Sequence, residues 1–426
     1  MLPPAVRHGP GEINLIMVPR LTLKSLWRLY RAAQTSLQSG DISEAAVQFA
    51  RLAAARVRRS PGSDLTAQEM PNPLAARAYV GLGYCHLEEG RLDAAMHCLD
   101  AALGLEPDNA EALCERAYLL NLTGQRAGAL AALERAVGAH PDHAKARRAL
   151  GFFYLQDDRV EDAVRECREA VRCDPNYDSA HVELAVALGR AGRLDEAAQA
   201  MKRALELSPS NPDYHYNLAS LLRESRHGEE ARLVLRRGLV LNPGNVSLTQ
   251  AYAEFCLELG ELDEAIRAAD DLLRLQPNSF AARDVLGVAY LQQGRVNEAL
   301  RIADQMVTLN PLEPSHHFKK AVLFQQQGML RNALAEFLRV LELAPESDMA
   351  GDARMAIDTM DGHQIRQIIL LASEDVVFRA KLRRDPEQAT RERGFVLSYL
   401  GLAALQTLDL DSLESVCSET SPPLYH

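Results

Sequence analysis

Residues 76–109 read ARAYVGLGYCHLEEGRLDAAMHCLDAALGLEPDN, and residues 144–177 read AKARRALGFFYLQDDRVEDAVRECREAVRCDPNY. Both segments have glycine at the eighth position, alanine at the twentieth and proline at the thirty-second. Their apolar residues recur every three or four positions, which indicates amphipathic helices. The two segments are therefore copies of one helical unit.

The unit repeats with a period of 34 residues, marked by prolines. The prolines that keep this spacing are Pro73, Pro107, Pro141, Pro175, Pro209, Pro243, Pro277, Pro311 and Pro345. Eight uninterrupted intervals exclude chance in a chain with 20 prolines. They define eight consecutive units over residues 76–347, in which positions are counted from the first residue of each unit.

Small residues divide each unit into two helices. Position 8 is always Gly or Ala and position 20 is always Ala, which predicts that the two helices cross closely at these points. Position 15 is usually Gly, the residue that best accepts the left-handed conformation at a helix end. The proline then ends the second helix, because it cannot continue the hydrogen-bonded ladder.

This pattern resembles the tetratricopeptide repeat over residues 76–347. The resemblance implies an all-α fold, a right-handed α-solenoid whose concave groove is lined mainly by the first helix of each pair. A single pair cannot bury its apolar face, so neighbouring pairs must stack.

The rest of the chain flanks this array. We expect a flexible N-terminus over residues 1–20, a degenerate repeat-like pair over 21–59 and a loop insert over 60–75. After the eight units we expect a capping helix over 348–361, a small helical domain over 362–417 and a disordered tail over 418–426. Residues 378–405, FRAKLRRDPEQATRERGFVLSYLGLAAL, also resemble the helical α subunit of extradiol dioxygenases and the leader region of ribosomally made, modified peptides.

The family resemblance implies that positions 2, 5, 9, 12 and 13 face the groove. Position 9 carries three aromatic residues in succession, followed along the groove by basic residues. The predicted partner-binding residues are Tyr84, Tyr118, Phe152, Leu87, Leu122, Leu155, Lys145, Arg148, Arg190, Asn217 and Arg223. An apolar section beside a basic section is suited to a peptide with apolar anchors and acidic groups. The alternative is that the aromatic rings partly cover their own helices.

The sequence shows no catalytic constellation and predicts no cofactor. It lacks a phosphate-binding loop, a dinucleotide fingerprint, HExxH and GxSxG. Cys85, His86, His97 and Cys98 could in principle hold zinc, but neighbouring residues on a helix point about 100° apart. His181, His215 and His317 recur at position 4, which favours a structural role.

Composition limits the class of protein. The net charge is −11, which argues against a nucleic-acid partner. No apolar run is long enough to span a membrane, and no secretory signal is predicted. Seven scattered cysteines indicate reduced thiols and a cytoplasmic protein.

We therefore predict a non-enzymatic cytoplasmic scaffold that binds a protein or peptide partner in its groove. The alternative is an accessory subunit of an enzyme system, a ring-cleavage dioxygenase or a peptide-modifying enzyme, that docks through residues 362–416. The sequence leaves self-association open.

Overall fold

A computed structural model describes residues 20–57 and 72–408 of the chain. The predictions for residues 1–19, for 58–71 (the end of the degenerate pair and most of the loop insert) and for 409–426, including Cys417, lie outside the described residues. The described chain is α-helical apart from one two-residue parallel pairing, in which Arg20 faces Arg56 and Leu21 faces Val57.

The elements follow one another in antiparallel pairs. In chain order they are β1 Arg20–Leu21, α1 Leu23–Gln38, α2 Ile42–Ala54, β2 Arg56–Val57, α3 Ala75–Glu88, α4 Leu92–Leu105, α5 Ala110–Leu122, α6 Arg126–Ala139, α7 Ala144–Gln156, α8 Val160–Cys173, α9 Asp178–Arg190, α10 Leu194–Leu207, α11 Pro212–Glu224, α12 Gly228–Leu241, α13 Val246–Glu258, α14 Leu262–Leu275, α15 Phe280–Gln292, α16 Val296–Leu309, α17 Pro314–Gln326, α18 Leu330–Leu343, α19 Asp348–Glu374, α20 Val376–Arg384, α21 Pro386–Glu392 and α22 Tyr399–Gln406. The all-α prediction of stacked helix pairs is confirmed.

The end of each repeat begins the next one. Position 34 is the N-cap of the following helix. In every unit except the third, which has Tyr177, its side chain accepts a hydrogen bond from an otherwise unpaired backbone N–H. Asn109 accepts from the amide of Ala112 at 3.0 Å, and Asn245 accepts from that of Leu248 at 2.9 Å. The N-cap residues thus recur with the same 34-residue period as the prolines.

The turn inside each pair needs a left-handed residue at position 15. Six units place glycine there, for example Gly124 with φ of 76°. The third and fifth units instead hold Asp158 at φ 58° and Arg226 at φ 61°. A side chain in this region is strained, because its Cβ crowds the backbone.

The predicted helix crossings are confirmed. The alanines at position 20, from Ala95 in the first unit to Ala333 in the last, are at most 1% exposed. Opposite them, a Cβ placed on Gly83 would lie 3.2 Å from the Leu99 side chain, and one on Gly151 would lie 2.5 Å from the sulfur of Cys167. Only small residues allow this approach.

A second recurring contact joins the first helix to the preceding proline. In five units the side chain at position 4 donates to the carbonyl oxygen of the proline six residues earlier. The pairs are Arg147 with Pro141, His181 with Pro175, His215 with Pro209, Arg283 with Pro277 and His317 with Pro311. The recurring histidines therefore satisfy a backbone acceptor.

Within each compact part of the chain, several first helices approach the next first helix, and no such close approach is seen between the second helices described. Close approaches of this kind join α3 to α5, α5 to α7, α7 to α9 and α13 to α15. A stack whose first helices are closer together curves toward them. The first helices therefore line the inner side locally, as the family resemblance implies.

The chain divides into two compact units, Met1–His227 and Gly228–His426. The sequence predicts one uninterrupted array, and the division falls between the two helices of the fifth repeat. All predicted partner-binding residues belong to the first unit.

The boundary predicted between residues 361 and 362 is wrong. Helix α19 runs unbroken for 27 residues and serves both neighbours. Ala353 and Ile357 pack into the core of the last repeat, whereas Ile368 and Ala372 pack with Phe378. Gly362 does not interrupt the helix, because glycine in a helix interior weakens it without ending it.

The C-terminal cluster, formed by α20, α21, α22 and the second half of α19, is fastened by two buried polar side chains. Asp361 accepts from the amide of Ser398 at 2.9 Å and also from its hydroxyl. Gln364 accepts from the amide of Val396 at 2.7 Å and donates to its carbonyl oxygen at 2.6 Å. These bonds satisfy the extended backbone that leads into α22.

Candidate partner-binding surface

Three exposed aromatic side chains lie on the first helices of three successive repeats, all within the compact unit Met1–His227. Tyr84 on α3 is 36% exposed, Tyr118 on α5 is 54% exposed and Phe152 on α7 is 38% exposed. Each follows the buried small residue at position 8 and is thereby turned away from the helix crossing. We call these three residues the aromatic row.

The exposed apolar surface continues beyond the aromatic row. Val186 on α9 is 42% exposed and Tyr216 on α11 is 45% exposed. Trp27 on α1, at 43%, extends the surface in the other direction and contacts Tyr30 edge-on. Our sequence prediction missed Tyr216 and Trp27, although they occupy positions 5 and 2 of their units.

The three predicted leucines have different environments. Leu122 is 52% exposed, and Leu87 is half-buried against the cluster that contains Leu99 and Leu119. Leu155 is only 4% exposed, so its prediction as a surface residue is wrong. Its side chain packs in the core, and its carbonyl oxygen accepts a hydrogen bond from Arg190 at 3.0 Å.

Part of the predicted basic section is engaged within the protein. The Arg148 guanidinium lies 3.8 Å from the Glu183 carboxylate and 5.8 Å from the centre of the Tyr177 ring. Lys145 and Arg223 are exposed, and Asn217 is half-buried on α11. The sequence did not show that Glu183, from the next first helix, would balance Arg148.

Carboxylates that the sequence prediction did not single out flank the first two tyrosines. Glu88 stands one turn after Tyr84, and Glu111 and Glu115 lie on the same face of α5 as Tyr118. Burial raises the pKa of the Glu115 carboxyl. The negative charges of Glu111 and Glu88 also raise this pKa, whereas the positive charges of Lys145 and Arg148 lower it. Burial also raises the pKa of the Glu183 carboxyl, and the positive charge of Arg148 only partly offsets this effect.

A cavity of about 640 Å³ opens beside this surface. It is lined by Tyr30, Arg77, Glu106, Pro107, Asp108, Asn109, Ala110, Glu111, His140 and His143. Several of its polar side chains are already paired, since Asp108 contacts Arg135 at 3.0 Å and Asn109 donates to Glu106 at 2.6 Å. Burial lowers the pKa of His143, whose Nδ1 accepts from the amide of Ala146.

Metal ligands do not converge anywhere in the part of the chain that the structure describes. The described cysteines are free thiols, with Cys85, Cys167 and Cys256 buried. Burial raises the pKa of Cys85 to about 11 and that of Cys114 to about 12. These thiols are poor nucleophiles at neutral pH, because the thiolate is the reactive form.

The repeat geometry and a family model agree on what the chain is. The tetratricopeptide repeat model matches residues 30–110, 123–178, 182–246, 256–314 and 286–348. The chain belongs to the tetratricopeptide repeat family. The first match begins at residue 30, within α1, so most of the degenerate N-terminal pair falls in the matched region. Tetratricopeptide repeats form scaffolds for protein interaction, whereas the resemblance of residues 378–405 to other helical proteins finds no support.

Several solved tetratricopeptide repeat structures are similar to parts of the chain. A repeat protein from Cytophaga hutchinsonii is 16% identical with a TM-score of 0.43, covering 60% of this chain and 99% of its own. PilF of Pseudomonas aeruginosa is 21% identical with a TM-score of 0.42, covering 49% and 95%. YrrB, described as having an unusual peptide-binding site, is 20% identical with a TM-score of 0.37, covering 42% and 92%. No curated protein matches the sequence.

None of the helices in residues 20–57 and 72–408 combines the length and the apolar character needed to cross a bilayer.

Proposed function

We propose that this tetratricopeptide repeat protein is a non-enzymatic scaffold that holds a peptide segment of a partner protein. The segment binds to the first helices of the repeats within Met1–His227, the first compact unit of the chain. The observation that carries the proposal is the aromatic row. In a chain with only 5% aromatic residues, three consecutive repeats expose an aromatic ring at the same position.

The energetic argument follows from exposure. Aromatic side chains bury a large apolar area on binding and lose little conformational entropy, so they commonly dominate the energy of protein interfaces. Tyr118 is the strongest candidate anchor, because it lies in the middle of the row and is its most exposed member. Leu122, one turn further along α5, adds apolar surface beside it.

Lys145 and Arg190 are the proposed charge partners of the bound segment, with Arg148 and Arg223 in supporting positions. Arg148 is shared with Glu183, so a ligand carboxylate would have to compete for it. We also place the protein in the cytoplasm, because free thiols at Cys85, Cys167 and Cys256 are typical of a reducing compartment.

A selection of random twelve-residue peptides displayed on phage, with the full chain as bait, tests this function. Peptides recovered on the wild type should bind the Tyr118→Ala variant at least about tenfold more weakly, which corresponds to ~1.4 kcal/mol. Leu312→Ala is the control, because Leu312 is 67% exposed between α16 and α17, outside both candidate surfaces. Equal binding by both variants would place the peptide site elsewhere.

The C-terminal cluster is a second candidate surface. Val376 and Val377 on α20 are 63% and 68% exposed, and Tyr399 and Leu400 on α22 are 85% and 67% exposed. An accessory subunit that docks to an enzyme would use such residues. Leu400→Glu should then abolish an associated activity and leave peptide binding unchanged, whereas an unaffected activity would exclude this role.

A further inference from the structure

The first part of the aromatic surface combines aromatic rings with carboxylates. Tyr84 and Glu88 share one face of α3, and Glu115 and Tyr118 share one face of α5. Burial, then the hydrogen bond and charge of Glu88, then the charge of Glu115 raise the pKa of the Tyr84 hydroxyl. These groups from two neighbouring helices therefore lie close together.

Neither Glu88 nor Glu115 forms an ion pair with a described residue, although the second helices carry several ion pairs, such as Arg172 with Glu169 at 2.8 Å on α8. Lys145 and Arg148 act on Glu115 through their charges, and neither forms an ion pair with it. Arg148 contacts Glu183, and Lys145 is exposed on α7 and acts on Glu115 only through its charge. Glu115 is half-buried, whereas Glu88 is exposed. A half-buried carboxylate such as Glu115 is costly without an ion pair, and a basic side chain of the partner would supply one.

We propose that Tyr84, Glu88, Glu115 and Tyr118 bind a lysine or arginine side chain of the partner peptide. The inference rests on the peptide-binding function proposed above and names the chemistry of its ligand. Aromatic faces attract cations through the negative charge of the ring, and carboxylates supply the opposite charge. Glu111, one turn before Glu115 on α5, also lines the adjacent cavity, across from Arg77.

The bound segment is consequently polarised. Its basic residue lies over α3 and α5, and its acidic residues lie over α7 and α9, where Lys145 and Arg190 are exposed. An apolar residue between them covers Phe152. The sequence predicted a peptide with acidic groups, and we keep this prediction for the surface of α7 and α9. We add a basic residue of the peptide at the surface of α3 and α5.

The experiment uses the peptides recovered on the full wild-type chain. Peptides whose binding is lost in Tyr118→Ala should carry Lys or Arg, and replacement of that residue by norleucine should weaken wild-type binding roughly tenfold. In Glu115→Gln the same replacement should cost less than about threefold, because the interaction is already absent. Glu161→Gln is the matched control, since it removes one exposed carboxylate from the second helix α8.

Two outcomes overturn the inference and differ in meaning. In the first outcome, peptides depend on Tyr118 but lack basic residues, or norleucine weakens their binding to Glu115→Gln as much as to the wild type. Either result leaves the proposed peptide-binding function intact and rules out the cation site. Peptides that ignore Tyr118, or a selection that recovers none, overturn both.

Discussion

The Nε2 atom of His181 lies 3.0 Å from the carbonyl oxygen of Pro175. A carbonyl oxygen can only accept, so the imidazole donates from Nε2. The proline ends one repeat and the histidine lies on the first helix of the next, so the bond ties consecutive repeats together. Arg147 and Arg283 make the same contact in other repeats.

Replacing His181 by leucine should therefore destabilise the junction between α8 and α9 by ~0.5–1.5 kcal/mol, because the hydrogen bond to the Pro175 carbonyl is lost. His181→Arg should retain most of the stability, since arginine performs the task elsewhere. Urea unfolding combined with amide hydrogen exchange in the two helices measures the difference. Equal losses for both variants would show that imidazole packing matters more than the bond.

Arg226 adopts φ of 61°, where six other repeats have glycine. Arg226→Gly should raise the free energy of unfolding by ~0.5–1 kcal/mol, because the strain of the side chain in the left-handed region is removed. The reciprocal change, Gly192→Arg at φ 74°, should lower stability by a similar amount. Thermal unfolding of the two variants against the wild type tests the pair, and shifts of the same sign would contradict the argument.

Gly401 on α22 allows the buried carboxylate of Asp361 to reach Ser398. A methyl group at this position would overlap that carboxylate, so Gly401→Ala should destabilise the C-terminal cluster by ~1–3 kcal/mol. Gly351→Ala is the matched control, because no other group lies within 4 Å of its added Cβ and alanine favours the helix. Hydrogen exchange of α22 should accelerate only in the first variant.

Glu115 provides a prediction about pH. Because its pKa in the folded protein is raised, the folded state binds the proton more tightly than the unfolded state, and stability falls as the pH rises through that pKa. Glu115→Gln should therefore raise the unfolding midpoint at neutral pH. The advantage should vanish as the pH falls below the usual glutamate range, where the wild type is also neutral. An advantage that persists in acid would point to packing instead of charge.

The period of 34 residues was enough to predict the helix pairs and their crossings, because prolines, small residues and turn glycines act locally. It did not predict where Leu155 points or that Glu183 faces Arg148, because both depend on the distance between neighbouring first helices. The aromatic row was predicted as residues, but the carboxylates beside it were not, since Glu88 and Glu115 resemble ordinary helix-surface residues in the sequence. The division between α11 and α12 left no mark on the repeat pattern.

Helix α19 is shared by the last repeat and the C-terminal cluster, so it fixes both the distance and the relative rotation between the two faces that it buries. Each residue advances a helix by about 1.5 Å and turns it by about 100°. One residue inserted near its middle would swing Ile368 and Ala372 a quarter-turn or more away from Ala353 and Ile357, while seven would almost restore their alignment about 10 Å further along. Homologous proteins that vary in length at this point should therefore do so by whole turns.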